Sequence, residues 1–400
     1  MTHPIQYYAP WFAYLGERLD LTVYYTHRQT SDDHARSDFG VAFEWDRDLL
    51  SGYEYDWLNN RGNDRRQLRF FRHDTPEISK IIEAGRFDTF LIFGWYYLSA
   101  WQAALACRKN HIPVLMRGDS HLRMKRRWLK LAIKRLVYPK LLQTFDGHLY
   151  VGSRNLEYLK AYGIQDHRLF FSPHFVDAEF FGKTSARNKS DGDRERIRHS
   201  LNIPENAFIF CFVGSLIPRK SPGILLESLK LLLSDFRLKN VYVLFAGDGV
   251  LRETLQQLSE DVSQHVRFLG FVNQSELPNY YRCSDALVLP SVEESWGLVV
   301  NEAIACGIPV IVSDAVGCAP DLVDNRLTGF SFPTGEVSAL RDRMVQVMDM
   351  LNRCPGEVKN ALSEKSSEYS MACATSGLFA AIEALKRDRI MATRTMVDCA

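Results

Sequence analysis

The chain has 400 residues, of which 46% are hydrophobic and 24% charged, and its formal net charge is +1. This length and composition predict two domains, each with its own core, and exclude a disordered chain or a small disulfide scaffold. Because acidic and basic residues balance, no overall field draws the protein to nucleic acid, and any basic patch must be local.

The cysteine pattern and the hydropathy are typical of a protein of the cytosol. The eight cysteines include no CxxC pair and have mostly apolar neighbours, which is typical of reduced thiols in the cytosol and indicates no zinc site. The first twenty residues lack the pattern of a signal peptide, and no stretch approaches the roughly 20 apolar residues of a membrane span. We therefore expect a cytoplasmic protein that is soluble or, at most, bound to a membrane surface.

Short apolar runs alternate with helix-length segments along the chain. Because the runs are rich in Val, Ile, Leu and Phe, they predict parallel sheets with helices on both faces, an α/β fold. The segment at 3–10 resembles the loop after a strand, so we expect either a start codon placed late or a sheet that begins short. The predicted strands are 21–26, 89–94, 113–118, 147–152, 208–214, 241–247, 286–291 and 309–314.

Residues 121–142 carry eight Lys or Arg and no acidic residue, with Leu, Trp and Ile at helical spacing. A basic amphipathic helix of this kind can lie on an anionic membrane with its aliphatic side down. The alternative is a packed helix with a solvated basic face. Nucleic acid would be a third use, but no recognised nucleic-acid fold accompanies the segment, and we predict no nucleic-acid partner.

A polar and charged stretch at 183–200 divides the chain near its middle and predicts a linker that passes into a helix. We therefore place one domain at 1–182 and a second at 201–370. The remaining residues, 371–400, include an amphipathic pattern and predict a C-terminal helix and tail.

The strongest motif lies at 286–314, where the pattern predicts a strand, a loop, a helix and a further strand. Free N–H groups and the positive end of the dipole at such a helix start bind anions, and a glycine there lets the backbone approach a ligand. We predict a phosphate site in which Glu294 accepts hydrogen bonds from sugar hydroxyls and Glu302 reaches the ribose of the same nucleotide. The alternative is a surface helix with two solvated glutamates. Three residues mark the predicted helix start: Ser295, Trp296 and Gly297.

This motif resembles the signature of the retaining glycosyltransferases of family 4, the glycosyl transferases group 1, in which two glutamates are separated by seven residues. The segments 213–229, 245–255 and 266–291 resemble the same family, and the resemblance extends across essentially the whole chain. It implies the GT-B fold, with two Rossmann-like domains whose parallel sheets face each other across a cleft. The first domain would bind the acceptor and the second the nucleotide sugar, and the resemblance allows the C-terminal helix to cross back to the first domain.

The resemblance also implies a donor site in the second domain. Arg219 and Lys220 would hold the pyrophosphate and stabilise the leaving diphosphate, while the backbone of 266–291 would cradle the base. The glycine loop at 247–249 lacks the third glycine of a dinucleotide fingerprint, which disfavours a dehydrogenase. The implied donor-binding residues are Gly214, Arg219, Lys220, Gly247, Asp248, Phe271, Val272, Glu294, Ser295, Trp296, Gly297, Leu298 and Glu302.

In the first half, the segments 41–58, 87–105, 113–121 and 147–164 resemble a bacterial branch of the family that builds surface polysaccharides. Many family members place a histidine by the reacting sugar carbon near the end of the fourth strand. Here the neighbourhood offers three candidates instead: Arg117, Asp119 and His121. We choose Asp119 as the catalytic group beside Glu294, Arg219 and Lys220. Arg117 would be an orienting charge, His121 stays on the acceptor side, and a purely structural loop is the alternative.

Two Asp-x-Asp pairs, Asp46/Asp48 and Asp191/Asp193, resemble the metal ligands of another glycosyltransferase fold. Because neither pair ends a buried strand, we interpret both as solvated turns. We predict that the protein requires no metal and no other cofactor.

The predicted function is transfer of a sugar from a UDP or GDP sugar to a saccharide or polyprenyl-linked acceptor. The resemblance implies retention of anomeric configuration, with the departing phosphate receiving the acceptor proton. Two alternatives stay open: a sugar-nucleotide epimerase of the same fold, and a non-catalytic subunit that binds nucleotide sugar or a partner enzyme. The start of the chain and the altered loop at 117–121 favour the subunit, whereas the intact Arg219, Lys220 and glutamate pair argue against it.

Overall fold

The computed structural model describes residues 1–35, 40–62, 69–123, 128–187, 191–235 and 238–398. The chain divides into two compact units. The first unit comprises Met1–Gln29, Leu49–His174 and the residues from Met371 onward, and the second comprises Thr30–Asp48 and Phe175–Ser370.

Helices and strands alternate through most of the described residues. The helices are α1 (Ala9–Gly16), α2 (Ser31–Ala35), α3 (Ile78–Ala84), α4 (Leu98–Lys109), α5 (Trp128–Leu142), α6 (Ser153–Ala161), α7 (Ala178–Arg187), α8 (Asp191–Ser200), α9 (Gly223–Leu233), α10 (Arg252–Leu258), α11 (Leu277–Cys283), α12 (Leu298–Ala305), α13 (Ala319–Leu322), α14 (Val337–Arg353), α15 (Pro355–Glu368) and α16 (Met371–Asp398). The strands are β1 (Thr22–Tyr25), β2 (Glu54–Trp57), β3 (Phe90–Phe93), β4 (Val114–Gly118), β5 (Gly147–Tyr150), β6 (Leu169–Phe171), β7 (Phe208–Val213), β8 (Val241–Ala246), β9 (Val266–Gly270), β10 (Ala286–Leu289), β11 (Val310–Ser313) and β12 (Gly329–Phe332). None of the helices that the structure describes is long and apolar enough to span a bilayer.

The first unit holds two separate parallel sheets. Strands β3, β4, β5 and β6 pair in that order, whereas β1 pairs only with β2 among the described residues. A cavity of about 630 Å³ lies between β1 and β3 and is also lined by apolar residues of α1 and α16. Met1 and Thr2 run beside β1, where the Met1 amine donates to the Tyr24 carbonyl over 2.8 Å.

The second unit is built on one six-stranded parallel sheet with the order β12, β11, β10, β7, β8, β9. Nearly every residue of β7, β8, β10 and β11 is buried, because helices such as α9, α12 and α14 pack on the sheet. Strands covered on both faces give continuous apolar runs rather than alternating ones, which is the pattern that the sequence showed. The predicted parallel α/β fold is confirmed.

Residues 183–200, expected as a linker, lie in α7 and α8 on either side of 188–190, and the boundary between the units falls after His174. Two arginines of α8, Arg194 and Arg198, attach this helix to the rest of the second unit. The guanidinium of Arg198 is 2% exposed and donates to the Asp285 carboxylate over 2.9 Å and to the Cys283 carbonyl over 3.0 Å. The second Asp-x-Asp pair begins α8 instead of forming a turn, and Asp193 pairs with Arg196.

The C-terminal helix α16 belongs to the first unit and packs on β5 and β6. The Trp11 indole N–H donates to the Thr375 hydroxyl over 2.9 Å, and the Ser172 hydroxyl donates to the Ala374 carbonyl over 2.9 Å. A Cβ on Gly377 would lie 1.8 Å from the Phe171 carbonyl oxygen, so a glycine is needed for this close approach.

The buried His148 of β5 predicts an acid-sensitive first unit. Burial lowers the pKa of His148 to about 3, against about 6.5 in an unfolded chain. As the pH falls below about 6.5, the unfolded chain takes up a proton that the folded chain does not, so the free energy of unfolding falls by up to about 1.4 kcal/mol per pH unit. Urea unfolding at pH 7, 6 and 5 should show this slope. His148→Gln should reduce the slope, to which the lowered pKa values of His73 and His174 also contribute. The exposed-site variant His167→Gln should retain the wild-type slope, and an equal slope in all three proteins would refute the assignment.

Candidate active site

The sheet of the second unit reverses its strand order between β7 and β10. From β7 the chain proceeds to β8 and β9 on one side, and from β10 to β11 and β12 on the other. Because the strands are parallel, their carboxyl ends share one edge, and the crevice outside such a switch point is where open α/β sheets bind ligands. The residues that follow β7 and β10 therefore lie where such a sheet binds a ligand.

Lys220 follows β7 and Glu294 follows β10, and the two side chains form an ion pair. They are 74 positions apart in the sequence, and the switch point brings them together. Their side chains are only 13% and 11% exposed, and the Ser291 hydroxyl donates to the same Glu294 oxygen over 3.4 Å. Charges removed from water interact more strongly than at the surface. An anion that reaches Lys220 would meet a cation already held in place by Glu294.

The loop that carries Arg219 is tied to the loop after β10. The Val292 N–H donates to the Arg219 carbonyl over 2.8 Å, so the two loops are hydrogen-bonded to each other. The Arg219 side chain is exposed. A short 3-10 turn, Pro218–Lys220, ends at Ser221, whose φ of +48° is left-handed. This turn directs Lys220 inward and leaves Arg219 at the surface beside it.

Helix α12 begins at the same edge of the sheet. Gly297 precedes it with a φ of +99°, and a Cβ there would lie 3.0 Å from Leu289 Cδ2 and 3.1 Å from Val316 Cγ1. Trp296 is buried and its indole N–H donates to the Asn301 side chain over 2.8 Å, so the ring supports the helix start. Ser295 and Leu298, also predicted donor contacts, are half-buried beside Gly297.

Gly297→Ala should destabilise the second unit and reduce anion binding together. A left-handed φ costs a non-glycine residue about 1–2 kcal/mol, and the crowded Cβ adds to that cost. We expect the urea midpoint to fall and the Kd for pyrophosphate to rise. Gly307→Ala is the matched control, because Gly307 also has a positive φ, of +80°, but no atom lies within 4 Å of its added Cβ. Equal losses of pyrophosphate binding in both variants would argue against a specific role for Gly297.

Glu302 lies inside α12 and is fully buried. The Tyr281 hydroxyl donates to its carboxylate over 2.6 Å. Sequence reasoning did not identify Tyr281, because nothing in the spacing links α11 to α12. A hydrogen bond from a ribose requires an accessible Glu302 oxygen, whereas this side chain is buried. The predicted contact of Glu302 with a ribose therefore stays a prediction.

Two glycine loops approach each other after β7 and β8. A Cβ on Gly247 would lie 1.9 Å from the Gly214 carbonyl oxygen, and both glycines have left-handed φ values. The Gly247 N–H donates to the Gly270 carbonyl over 2.7 Å, which joins this edge to β9. The Asp248 carboxylate binds Arg252, so this predicted donor contact is already ion-paired.

The residues after β9 are close to this edge. Phe271 stacks on Phe43 with ring centroids 4.0 Å apart, and Val272 is half-buried. In all, the described structure brings most of the predicted donor-binding residues to the carboxyl edge of one sheet. The described ranges contain no group of three or more His, Cys, Asp or Glu placed to hold a metal.

The other predicted site residues lie in the first unit, after β4. Arg117 is 1% exposed and donates to the Ser172 hydroxyl and to the Pro173 carbonyl, both over 2.7 Å. These hydrogen bonds attach the Arg117 guanidinium to the residues that follow β6. Asp119 is half-buried and His121 is buried.

His174 is a residue of this region that sequence reasoning missed. It lies three residues after the end of the short strand β6, and burial together with the Arg117 charge holds its pKa well below the ordinary value. The imidazole is therefore neutral at pH 7, so that one ring nitrogen can donate a hydrogen bond and the other can accept one. A polar residue just after the carboxyl end of a strand was the available signal, but β6 itself was not predicted.

Residues 193–365 match the model of the family described as Glycosyl transferases group 1. The D-inositol 3-phosphate glycosyltransferase of Mycolicibacterium smegmatis is 33% identical over 196 residues, which cover 47% of this chain and 43% of that protein. A UDP-Gal:alpha-D-GlcNAc-diphosphoundecaprenol alpha-1,3-galactosyltransferase of Escherichia coli is 31% identical over 202 residues, 48% of this chain and 49% of that protein. The chain thus spans about half the length of the curated relatives it matches.

Solved structures resemble the chain over nearly its whole length. Anabaena Alr3699/HepE in complex with UDP gives a TM-score of 0.72 at 16% identity and covers 96% of this chain and 98% of that one. The lipopolysaccharide outer core galactosyltransferase WaaB gives 0.64 at 16% identity, with coverage of 96% and 99%. These likenesses establish the fold, which is the GT-B fold with two Rossmann-like units.

Proposed function

We propose that this chain, whose residues 193–365 match the model of the family Glycosyl transferases group 1, is a member of that family and transfers a sugar from a nucleotide diphosphate sugar to an acceptor hydroxyl. The observation that carries the proposal is the ion pair of Lys220 and Glu294 at the switch point of the second sheet. A buried cation beside a helix start suits a diphosphate, and an adjacent carboxylate suits sugar hydroxyls.

Each side chain has a role in this proposal. Lys220 and Arg219 bind the diphosphate and stabilise the charge that develops as it leaves, a form of stabilisation that usually contributes most to catalysis. Glu294 accepts hydrogen bonds from the transferred sugar, and Glu302, which is buried beside Tyr281, would contact the ribose only where one of its oxygens becomes accessible. Because these cations supply the charge that a metal would otherwise supply, we propose that no metal or other cofactor is required.

Transfer would proceed with retention of anomeric configuration. The acceptor hydroxyl attacks the anomeric carbon on the face that the diphosphate leaves, the glycosidic bond to the phosphate oxygen breaks, and that oxygen takes the acceptor proton. The first unit would bind the acceptor, with Asp119 at the reacting carbon, Arg117 orienting this loop and His121 on the acceptor side.

The relatives suggest which donors and acceptors to try first. Solved structures of Anabaena Alr3699/HepE hold UDP or UDP-glucose, and the Escherichia coli relative uses UDP-Gal and a diphosphoundecaprenol-linked sugar. We propose a UDP sugar as the leading donor, with GDP sugars second. The proposed acceptor is a saccharide or polyprenyl-linked saccharide, in the cytoplasm, during synthesis of a polysaccharide or glycoconjugate. Inositol phosphate enters the panel because of the relative from Mycolicibacterium smegmatis.

We propose that residues 121–142 can place the protein on an anionic membrane surface, and the described part of α5 supports this. Leu136 is 78% exposed and lies beside the exposed Arg135 and near the exposed Lys140. Residues 124–127 of the basic segment lie outside the described residues. An exposed aliphatic side chain flanked by cations is the pattern that binds such a surface.

The test is an assay of the purified chain with a panel of UDP and GDP sugars and the three acceptor classes, with and without EDTA. We expect one donor to release nucleoside diphosphate in an acceptor-dependent reaction that EDTA does not stop. Donor isomerisation without transfer would identify an epimerase, and binding without turnover would identify a non-catalytic subunit. Either result would overturn the proposal.

A further inference from the structure

Residues 40–48, the strap, come from the first half of the chain but belong to the second unit. Along the strap, exposed residues alternate with half-buried ones, so that one side chain in two faces the second unit. The half-buried side chains are Val41, Phe43, Trp45 and Arg47. The strap therefore runs in extended form across the surface of this unit.

Both ends of the strap and its centre are anchored to the second unit. A Cβ on Gly40 would lie 3.7 Å from the Cα of Gly249, which places the start of the strap on the glycine loop after β8. At the far end, Arg47 pairs with Asp177 over 2.9 Å, and its guanidinium lies 4.0 Å from the centre of the Phe180 ring.

The centre of the strap is attached to the loop after β9. The Asn273 side chain donates to the Glu44 carbonyl over 2.8 Å, and the Ser275 N–H donates to the Asp46 carboxylate over 3.1 Å. This accounts for the first Asp-x-Asp pair, which was expected to be a solvated turn: the Asp46 carboxylate is exposed but holds the strap on this loop.

The anchored strap creates a cluster of three half-buried rings at the carboxyl edge of the sheet. Phe43 stacks on Phe271 with centroids 4.0 Å apart, and Trp45 meets Phe43 edge-on at 4.8 Å. The cluster lies next to the loops after β8 and β9, the same edge that carries Lys220 after β7. A flat aromatic surface beside a diphosphate site suits a planar heterocycle.

We propose that Phe43, aligned by the rest of the strap, is a binding residue for the nucleobase of the donor. The inference rests on the proposed function, because it assigns a subsite of that donor. Every base has a π-face, so this contact supplies affinity for the nucleoside and leaves the choice of base to hydrogen bonds. The strap thereby makes donor binding depend on a segment outside the matched residues 193–365.

Calorimetric titration of UDP, GDP and inorganic pyrophosphate tests the proposal. Phe43→Ala should raise the Kd of UDP and GDP on the order of tenfold, which equals about 1.4 kcal/mol. The Kd of pyrophosphate, which has no base, should stay unchanged. Phe43→Trp keeps an aromatic face and should bind UDP as the wild type does. Phe43→Leu keeps the apolar volume but has no aromatic face, and it replaces the alanine variant if that variant does not fold.

The control is Phe71→Ala, which removes an exposed phenylalanine of the first unit and should leave all three Kd values unchanged. Equal Kd values for UDP in the wild type and in both Phe43 truncations would overturn the role of Phe43 while leaving the proposed function intact. A parallel loss of pyrophosphate binding would show a general structural role and would also overturn it. If the wild type binds neither UDP nor GDP, the proposed function fails and this inference fails with it.

Discussion

Replacing Lys220 by alanine should lower the rate of sugar transfer on the order of 10²–10³-fold at saturating donor. The reason is that a preorganised donor of positive charge is lost at the place where negative charge develops, and losses of this size are typical for one such group. The remaining Glu294 carboxylate, only 11% exposed, would then face the incoming diphosphate without its partner. The measurement is steady-state release of nucleoside diphosphate, compared with the wild type under the same conditions.

Lys230→Ala is the matched control for Lys220. Lys230 pairs with Asp261 over 2.6 Å on the second unit, but its partner is mostly exposed. We expect its removal to change the transfer rate by less than about twofold, since exposed pairs contribute little. Lys220→Arg keeps the charge and should retain more activity than the alanine variant. Full activity in Lys220→Ala would contradict the assigned role of this residue.

Asp285→Ala should lower the free energy of unfolding of the second unit by about 3–5 kcal/mol, because the variant leaves a buried charge without its partner. Arg198 is 2% exposed, and its guanidinium donates to one Asp285 oxygen while Arg194 donates to the other. The Asp285 carboxylate also accepts from the Ile209 N–H at the start of β7 over 2.8 Å. Urea unfolding of the second unit measures the loss.

Asp193→Ala serves as the control for this change. Asp193 also lies in an ion pair on α8, but its partner Arg196 is 75% exposed. Surface pairs of this kind contribute about 0–1 kcal/mol, so the urea midpoint should move little. Similar losses in Asp193→Ala and Asp285→Ala would show that burial of Arg198 is not the cause.

The parallel strands of the second unit could be predicted because they are covered on both faces. The runs at 208–214 and 286–291 are continuously apolar, and the structure places β7 and β10 within them. The start of α12 at Gly297 could also be predicted, because a glycine directly before an apolar helical segment is typical of a helix boundary. Both features are determined by residues that are close together in the sequence, so the sequence alone predicts them.

Other features depend on partners that are far apart in the sequence. Strand β2 is polar at alternate positions and mostly exposed, and the apolar run of β6 is only three residues long, so neither was predicted. The ion pair of Lys220 and Glu294 follows from strand order, which the sequence does not display. The assignment of 40–48 to the second unit depends on ring stacking across more than 200 positions, which no local pattern shows.

Calorimetric titration of UDP and GDP against the wild type and Lys220→Ala, in EDTA and at low salt, measures whether the second sheet binds a donor diphosphate. At least one nucleotide should bind the wild type at one site per chain, the affinity should fall as salt is added, and Lys220→Ala should bind at least tenfold more weakly. Binding of equal affinity in the two proteins, or no binding of either nucleotide to the wild type, would contradict a donor diphosphate at the switch point of the second sheet.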